Sequence, residues 1–187
     1  MHESIYQPAE DSFLMAEFLK KRIPLILKEN PNVKIFEMGP GSGVNLKAVL
    51  QEGVKKKNIF SADINSKAVE HCKKMGFNCV KSNLFQKTAK TRKYDVIIFN
   101  PPYLPDDVRE PESSKIATTG GEKGNEIIVA FLEQAKSHLN EGGVIFIITS
   151  SRSEGVDFEG MDYDAKEMVR KFLFYEKLFL WELKRSV

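Results

Sequence analysis

An apolar run, Val33 to Met38, leads directly into Gly39-Pro40-Gly41-Ser42-Gly43, and an amphipathic stretch from Asn45 to Gln51 follows at once. A strand that passes through a glycine loop into a helix is the opening unit of a parallel sheet. Parallel neighbours need a long crossover, and a helix is the usual one. This unit restricts the chain to open α/β architectures, and the sequence beyond it keeps the alternation. Asn58 to Asp63 reads as a second strand, after which Ser66 caps a helix carrying Val69, Cys72 and Met75. Phe77 to Val80 is a short third strand, Tyr94 to Phe99 the fourth and Val144 to Thr149 the fifth. Between the last two, Ile128, Phe131, Leu132, Ala135 and Leu139 mark one face of a helix that Gly142-Gly143 ends.

The flanks are read by the same periodicities. Asp11 or Ser12 caps a leading helix with Leu14, Phe18, Leu19, Ile23, Ile26 and Leu27 at helical spacing, and Pro24 kinks or splits it. Phe172-Leu173-Phe174-Tyr175 and Leu178-Phe179-Leu180-Trp181 are β material that ends the sheet as an antiparallel pair. Tyr163 to Arg170 is read as a strand preceded by little or no helix. The expected fold is α/β: one Rossmann-like domain over residues 1–187, with a helical lead over 1–30 and a core over 31–187. Its sheet is mainly parallel and seven-stranded, with an antiparallel C-terminal strand and helices on both faces.

Composition narrows the class of partner. The chain has 187 residues, a net charge of +2 and a charged fraction of 29%. That is enough length for a real core, without the basic balance of a dedicated nucleic-acid binder. No apolar stretch approaches the roughly 20 residues of a membrane helix. The opening Met1-His2-Glu3-Ser4 has no basic-then-apolar signal, so the expected location is the cytoplasm. Cys72 and Cys79 form no CxxC pair despite His71 beside them, and they read as small buried thiols on a helix and a strand. No metal site is expected.

Chemistry concentrates at the ends of the strands. The fourth strand closes on Asn100-Pro101-Pro102-Tyr103. An Asn side-chain oxygen and the following carbonyl offer two acceptors to a planar –NH₂ group, and the aromatic ring offers it a wall. Two consecutive prolines stiffen the backbone that carries the acceptors. The glycine loop lets backbone approach a nucleotide-like cofactor, with helix N–H groups nearby. Alone that loop is shared with nicotinamide and flavin enzymes. Three further positions narrow it. Glu37, just before the loop, can meet a cationic amino group or a hydroxyl through intervening groups. Asp63, about twenty residues beyond the loop, stands where a carboxylate accepts from ribose hydroxyls. Asn83, after the third strand, can meet an adenine amino edge. Together these point to methyl transfer from S-adenosylmethionine to a planar nitrogen.

The pattern Glu37-x-Gly39-x-Gly41-Ser42-Gly43 with Asn100-Pro101-Pro102-Tyr103 resembles class I methyltransferases that act on planar amines and amides. More specifically, Tyr6-Gln7-Pro8-Ala9-Glu10-Asp11-Ser12-Phe13-Leu14 is similar to the opening signature of the archaeal and eukaryotic HemK-like enzymes. Thr119-Gly120-Gly121-Glu122-Lys123-Gly124-Asn125-Glu126 resembles the glycine segment of that family. The resemblance covers nearly the whole chain and implies methylation of the glutamine in the Gly-Gly-Gln loop of class I translation termination factors. It implies cofactor contacts from Ser12, Glu37, Gly39, Gly41, Asp63, Ile64, Asn83, Leu84 and Asn100, and a catalytic loop of Asn100, Pro101, Pro102 and Tyr103. It also implies a small zinc-binding activator subunit on the sheet edge, here Phe77 to Val80. Asn83 stands where the family commonly has Asp, which makes an adenine contact neutral. The segment after Thr149 is short for the helix that usually precedes the last strands, and the strand with the glycine loop begins too early to leave room for the helical domain of bacterial relatives. Other readings of the Asn-Pro-Pro-Tyr loop are an exocyclic amine of adenine or guanine, flipped out of a nucleic acid, or a protein lysine. A silent cofactor-binding subunit is a further one.

Overall fold

The computed structural model describes residues 7–89, 91–107 and 118–186; Tyr6, which opens the N-terminal signature, and His2 lie outside them. A central seven-stranded sheet runs in the order β3-β2-β1-β4-β7-β9-β8. Its strands are β1 (Ile35–Met38), β2 (Ile59–Asp63), β3 (Asn78–Lys81), β4 (Tyr94–Phe99), β7 (Leu139–Ser150), β8 (Tyr163–Phe172) and β9 (Lys177–Arg185). The first five of that order are parallel, and β9 runs antiparallel to both of its neighbours. Two short strands, β5 (Leu104–Pro105) and β6 (Thr119–Gly121), pair outside the main sheet. Among the described residues the α-helices are α1 (Glu10–Glu29), α2 (Val44–Gln51), α3 (Ser66–Lys74) and α4 (Glu126–Ala135).

Each central strand is apolar on both faces because helices cover both. Ile35, Val96, Ile98, Phe146 and Ile148 face a cluster that Met15, Leu19 and Ile23 of α1, Leu46 and Val49 of α2, and Val69 of α3 complete. The alternate residues Phe36, Ile97, Phe99, Ile145 and Ile147 face Ile128, Phe131, Leu132 and Ala135 of α4. Strand residues two apart point to one side, so a single apolar run feeds both cores.

Several local expectations are corrected. Neither Asp11 nor Ser12 caps α1; the helix starts at Glu10, and its first carbonyl partner is Ala9, which accepts from Phe13 N at 3.0 Å. Pro24 lies inside α1 without splitting it. The bond it cannot make belongs to the carbonyl of Lys20, an exposed residue where water can substitute. The cap of α3 is Asn65, whose side chain accepts from Lys67 N and Ala68 N, not Ser66. Gly142-Gly143 does not end a helix. Helix α4 stops at Ala135, and β7 begins at Leu139 with a three-residue excess against β4, where Tyr94 pairs with Leu139 but Val96 with Val144. The excursion turns on Gly142 at φ 70°, and Asn140 Nδ2 fastens it to Asp95 Oδ1 at 2.7 Å.

At the C-terminus the strand reading of Tyr163 to Arg170 agrees with β8, and residues 151–162 form turns rather than a helix. An antiparallel pair does end the sheet and includes Leu178-Trp181, but of Phe172-Tyr175 only Phe172 joins it. Phe172 closes the ladder against Lys177, while Phe174 and Tyr175 sit in the turn at 92% and 85% exposure. Aromatic β propensity could not reveal that these residues span a turn.

Candidate active site

Register brings the functional ends together. Met38 pairs with Ala62 on one side and with Phe99 on the other, so β1, β2 and β4 end level. Gly39, Asp63 and Asn100 therefore emerge side by side, with Asp63 and Asn100 two strand spacings apart, about 10 Å. They open onto a cavity of about 790 Å³, a volume in the range of small-molecule sites.

The glycine loop is built for close approach. Gly39 has φ 63° and donates to the Ala62 carbonyl at 2.8 Å, and Gly41 has φ 50°. Asp63 holds this loop: its Oδ2 accepts Gly41 N at 3.0 Å and its Oδ1 accepts Asn65 N at 2.9 Å. Burial pushes the Asp63 carboxyl above the usual carboxylate range, against the pull of those N–H groups. Gly43 caps α2 at φ 73°, where a Cβ would meet Met75 Cε at 2.5 Å.

Glu37 lies beneath the loop and does not line the cavity. It is 1% exposed, and its Oε1 accepts Asn45 Nδ2 at 2.9 Å. Burial pushes its carboxyl up to about 8. Glu37 Oε2 and Asn45 Oδ1 have no partner among the described residues, and Asn45 does line the cavity. Sequence reasoning missed Asn45, although a polar residue on the buried face of a helix just after a glycine loop was a signal available to it.

The far wall is Ser82, Asn83, Leu84 and Gln86. Leu84 has φ 45°, a left-handed conformation that costs a side-chain-bearing residue on the order of 1–3 kcal/mol and recurs at ligand sites. Phe85 pins the segment by stacking on Phe36, Phe131 and His138, with its N–H donated to Gln134 Oε1 at 3.3 Å. Ile64 is half exposed at the rim.

On the opposite side, Asn100, Pro101 and Pro102 line the cavity, and Asn100 Oδ1 is buried with no partner among the described residues. Tyr103 does not line it. Its ring packs on both core clusters and its hydroxyl donates to Asp11 Oδ2 at 3.3 Å, so the expected aromatic wall for a planar substrate is absent from this arrangement. The glycine segment presses on the same loop. A Cβ on Gly120 would lie 2.7 Å from the Pro102 carbonyl, and one on Gly124 2.7 Å from the Tyr103 carbonyl. Glu126 folds this segment by accepting Lys123 N at 2.9 Å and Asn125 N at 3.1 Å, and these bonds hold its carboxyl below the usual range. Ser12 lines the cavity beside Asp11 at the start of α1.

Cys72 and Cys79 are free and buried on α3 and β3. Strand β3 is a sheet edge, as expected, but Phe77 precedes it and is 5% exposed with the Lys56 ammonium over its ring; Val80 is the exposed apolar residue at 43%. No helix among the described residues is long and apolar enough to cross a membrane.

Residues 73–172 match the family model of the Eco57I restriction-modification methylase, a segment that takes in β3, β4 and the Asn100–Tyr103 loop. A relative from Methanocaldococcus jannaschii, named as a protein N5-glutamine methyltransferase, is 36% identical over 159 residues, 81% of this chain and 75% of its own length. The eRF1 methyltransferase catalytic subunit mtq2 of Schizosaccharomyces pombe is 28% identical, again over 81% of this chain and 75% of its own. Among solved structures, that of the E. cuniculi Mtq2-Trm112 complex, described as responsible for methylating the termination factor eRF1, has a chain of the same fold. Its TM-score is 0.66 at 22% identity, covering 97% of this chain and 98% of that one.

Proposed function

Because this chain belongs to the protein N5-glutamine methyltransferase family and shares its loop-bearing half with the Eco57I methylases, we propose that it methylates a class I release factor. The methyl group comes from S-adenosylmethionine and goes to the side-chain amide nitrogen of the glutamine in the Gly-Gly-Gln motif. The observation that carries this reading is Asn100 Oδ1, a buried acceptor at the cavity wall that has no partner among the described residues.

The cavity residues fit the cofactor: a bare glycine turn, a carboxylate at Asp63 and two orphaned buried oxygens on Glu37 and Asn45. S-adenosylmethionine bound there supplies an electrophilic methyl group on a cationic sulfur. The chain does the rest. Asp63 accepts ribose hydroxyls while Gly41 and Asn65 hold its carboxylate in place. Asn83 and Leu84 flank the adenine, and Ser12, Gly39 and Ile64 complete the wall. Asn45 Oδ1 accepts from the amino end, and Glu37 acts behind it by accepting Asn45 Nδ2 and fixing the direction of that oxygen. An amide nitrogen is a poor nucleophile because its lone pair is shared with the carbonyl. When Asn100 Oδ1 and the Pro101 carbonyl accept its two hydrogens, the nitrogen is fixed and the positive charge growing on it is stabilised. As the nitrogen–methyl bond forms the sulfur–methyl bond breaks, S-adenosylhomocysteine is left, and the nitrogen gives up one of its two protons to water. That is positioning and preorganised electrostatics rather than strong-base catalysis.

A small partner of the zinc-binding activator kind completes the enzyme along β3, where Val80 stands on an edge that no strand among the described residues covers. We place the reaction in the cytoplasm, where termination factors work. The Eco57I match favours one other substrate, a nucleobase amine, against which the net charge of +2 weighs. The test offers the complex labelled S-adenosylmethionine with a termination factor, its Gln→Ala variant, and DNA or RNA in parallel. Label on the intact factor alone is expected. Label that survives the glutamine substitution, or that appears mainly on nucleic acid, overturns the reading.

A further inference from the structure

Two consecutive prolines leave the Asn100–Tyr103 loop short of N–H groups with which to anchor itself. The glycine segment presses on the Pro102 and Tyr103 carbonyls from one side. On the other side the tether is Asp11, whose side chain crosses 92 positions of sequence to reach the loop.

Asp11 is a carboxylate with 6% exposure at the start of α1, where it makes no helix cap. Its two oxygens reach two different residues. Oδ1 accepts Ser12 N at 2.6 Å and lies 3.2 Å from Ser12 Oγ, while Oδ2 accepts the Tyr103 hydroxyl at 3.3 Å. Burying a charge in this way is costly, and hydrogen bonds offset only part of the cost. An alanine or leucine would fill a helix face more cheaply. Ser12 and Asn100 line the same cavity from opposite elements, and Asp11 is the side chain that touches the first and holds the end of the loop carrying the second.

We propose that Asp11 is a positioning residue, which fixes Tyr103 and through it the Asn100 and Pro101 acceptors relative to the cofactor wall at Ser12. This deepens the glutamine-methylation reading and rests on it. A placement error of about 1 Å in a reacting geometry costs on the order of a hundredfold in rate, which makes such a tether worth its burial.

The experiment uses the enzyme with its activator subunit and four variants: Tyr103→Phe, Asp11→Ala, Asp11→Asn and the Asp11→Ala/Tyr103→Phe pair. Tyr103→Phe and Asp11→Ala are each expected to lower kcat about tenfold to a hundredfold, while cofactor Kd moves by less than about threefold. The pair loses no more than Asp11→Ala alone, because the Tyr103–Asp11 bond is already gone in that variant. Asp11→Asn retains more activity than Asp11→Ala, since its amide still faces the rotatable hydroxyl. Hydrogen exchange over residues 100–107 provides a second readout that needs no substrate, and it speeds up in both single variants. Additive losses, unchanged exchange, or a loss that sits in cofactor affinity each overturn the proposal. A wild-type complex inactive on the termination factor sinks the substrate reading instead, and the exchange data still decide the tether.

Discussion

Asn100 and Asp63 stand on either side of one loop and divide the labour. A buried carbonyl oxygen without a donor costs about 1–3 kcal/mol, and Asn100 Oδ1 is in that state. The oxygen is satisfied when an amide N–H arrives, so its contribution falls on the reacting complex. Asn100→Ala is expected to lower kcat on the order of 10²–10³-fold with a much smaller change in cofactor Kd. Asp63 is the reverse case. Its oxygens already hold Gly41 N and Asn65 N, so Asp63→Ala loses the ribose contact and also loosens the loop. Cofactor affinity is expected to fall by about 2–3 kcal/mol. Calorimetric titration and single-turnover rates on both variants check the division, and equal effects on binding and transfer in either variant contradict it.

Strand β3 shows how an element carries information that its residues do not. Cys79 is buried, while Asn78 and Lys81 are polar and exposed, which leaves Val80 as the apolar residue at an edge that no strand among the described residues covers. An edge of this kind presents free N–H and C=O groups to another chain. Val80→Asp is expected to abolish co-purification with the activator while the circular dichroism of the isolated chain stays unchanged. Co-purification at wild-type yield removes β3 from the interface. The same scale explains the misreadings. Leu139 continues the helical spacing of α4 but belongs to β7, because pairing with Tyr94 and the Asn140–Asp95 bond decide its fate. Leu173 to Tyr175 have strand propensity, yet the β9 ladder makes them a turn.

At the scale of the molecule, α1 closes the fold. Its inner face enters the core shared with α2, α3 and six strands, and Arg22 ties it to Glu182 of β9 at 3.0 Å. Glu37 is buried under the glycine loop against Asn45 of α2, and that burial couples the site to global stability. Glu37 keeps its proton in the folded chain up to about pH 8 but loses it near 4.5 when unfolded. Between those values the unfolded chain binds fewer protons, so stability from this group is fully present below about pH 4.5, declines as pH rises and levels off above pH 8. Asp63, shifted in the same direction, adds to the decline. Melting temperature of the cofactor-free chain is expected to fall from pH 6 to pH 8.5, and Glu37→Gln is expected to flatten most of that slope. An unaltered slope in Glu37→Gln refutes the assignment.

Local signals were enough to establish the alternation of strands and helices, the strand ends that carry Gly39, Asp63 and Asn100, and the family the chain belongs to. Periodicity and glycine-loop chemistry act within ten or twenty residues, and a sequence displays that range directly. Contacts across the fold were decided by tertiary structure. It set Asp11 against Tyr103 across 92 positions, withdrew Tyr103 from the cavity and pressed Gly120 on the Pro102 carbonyl. No local preference encodes which polar side chains meet when separate elements pack, because that depends on sheet register and on which face of each helix is buried.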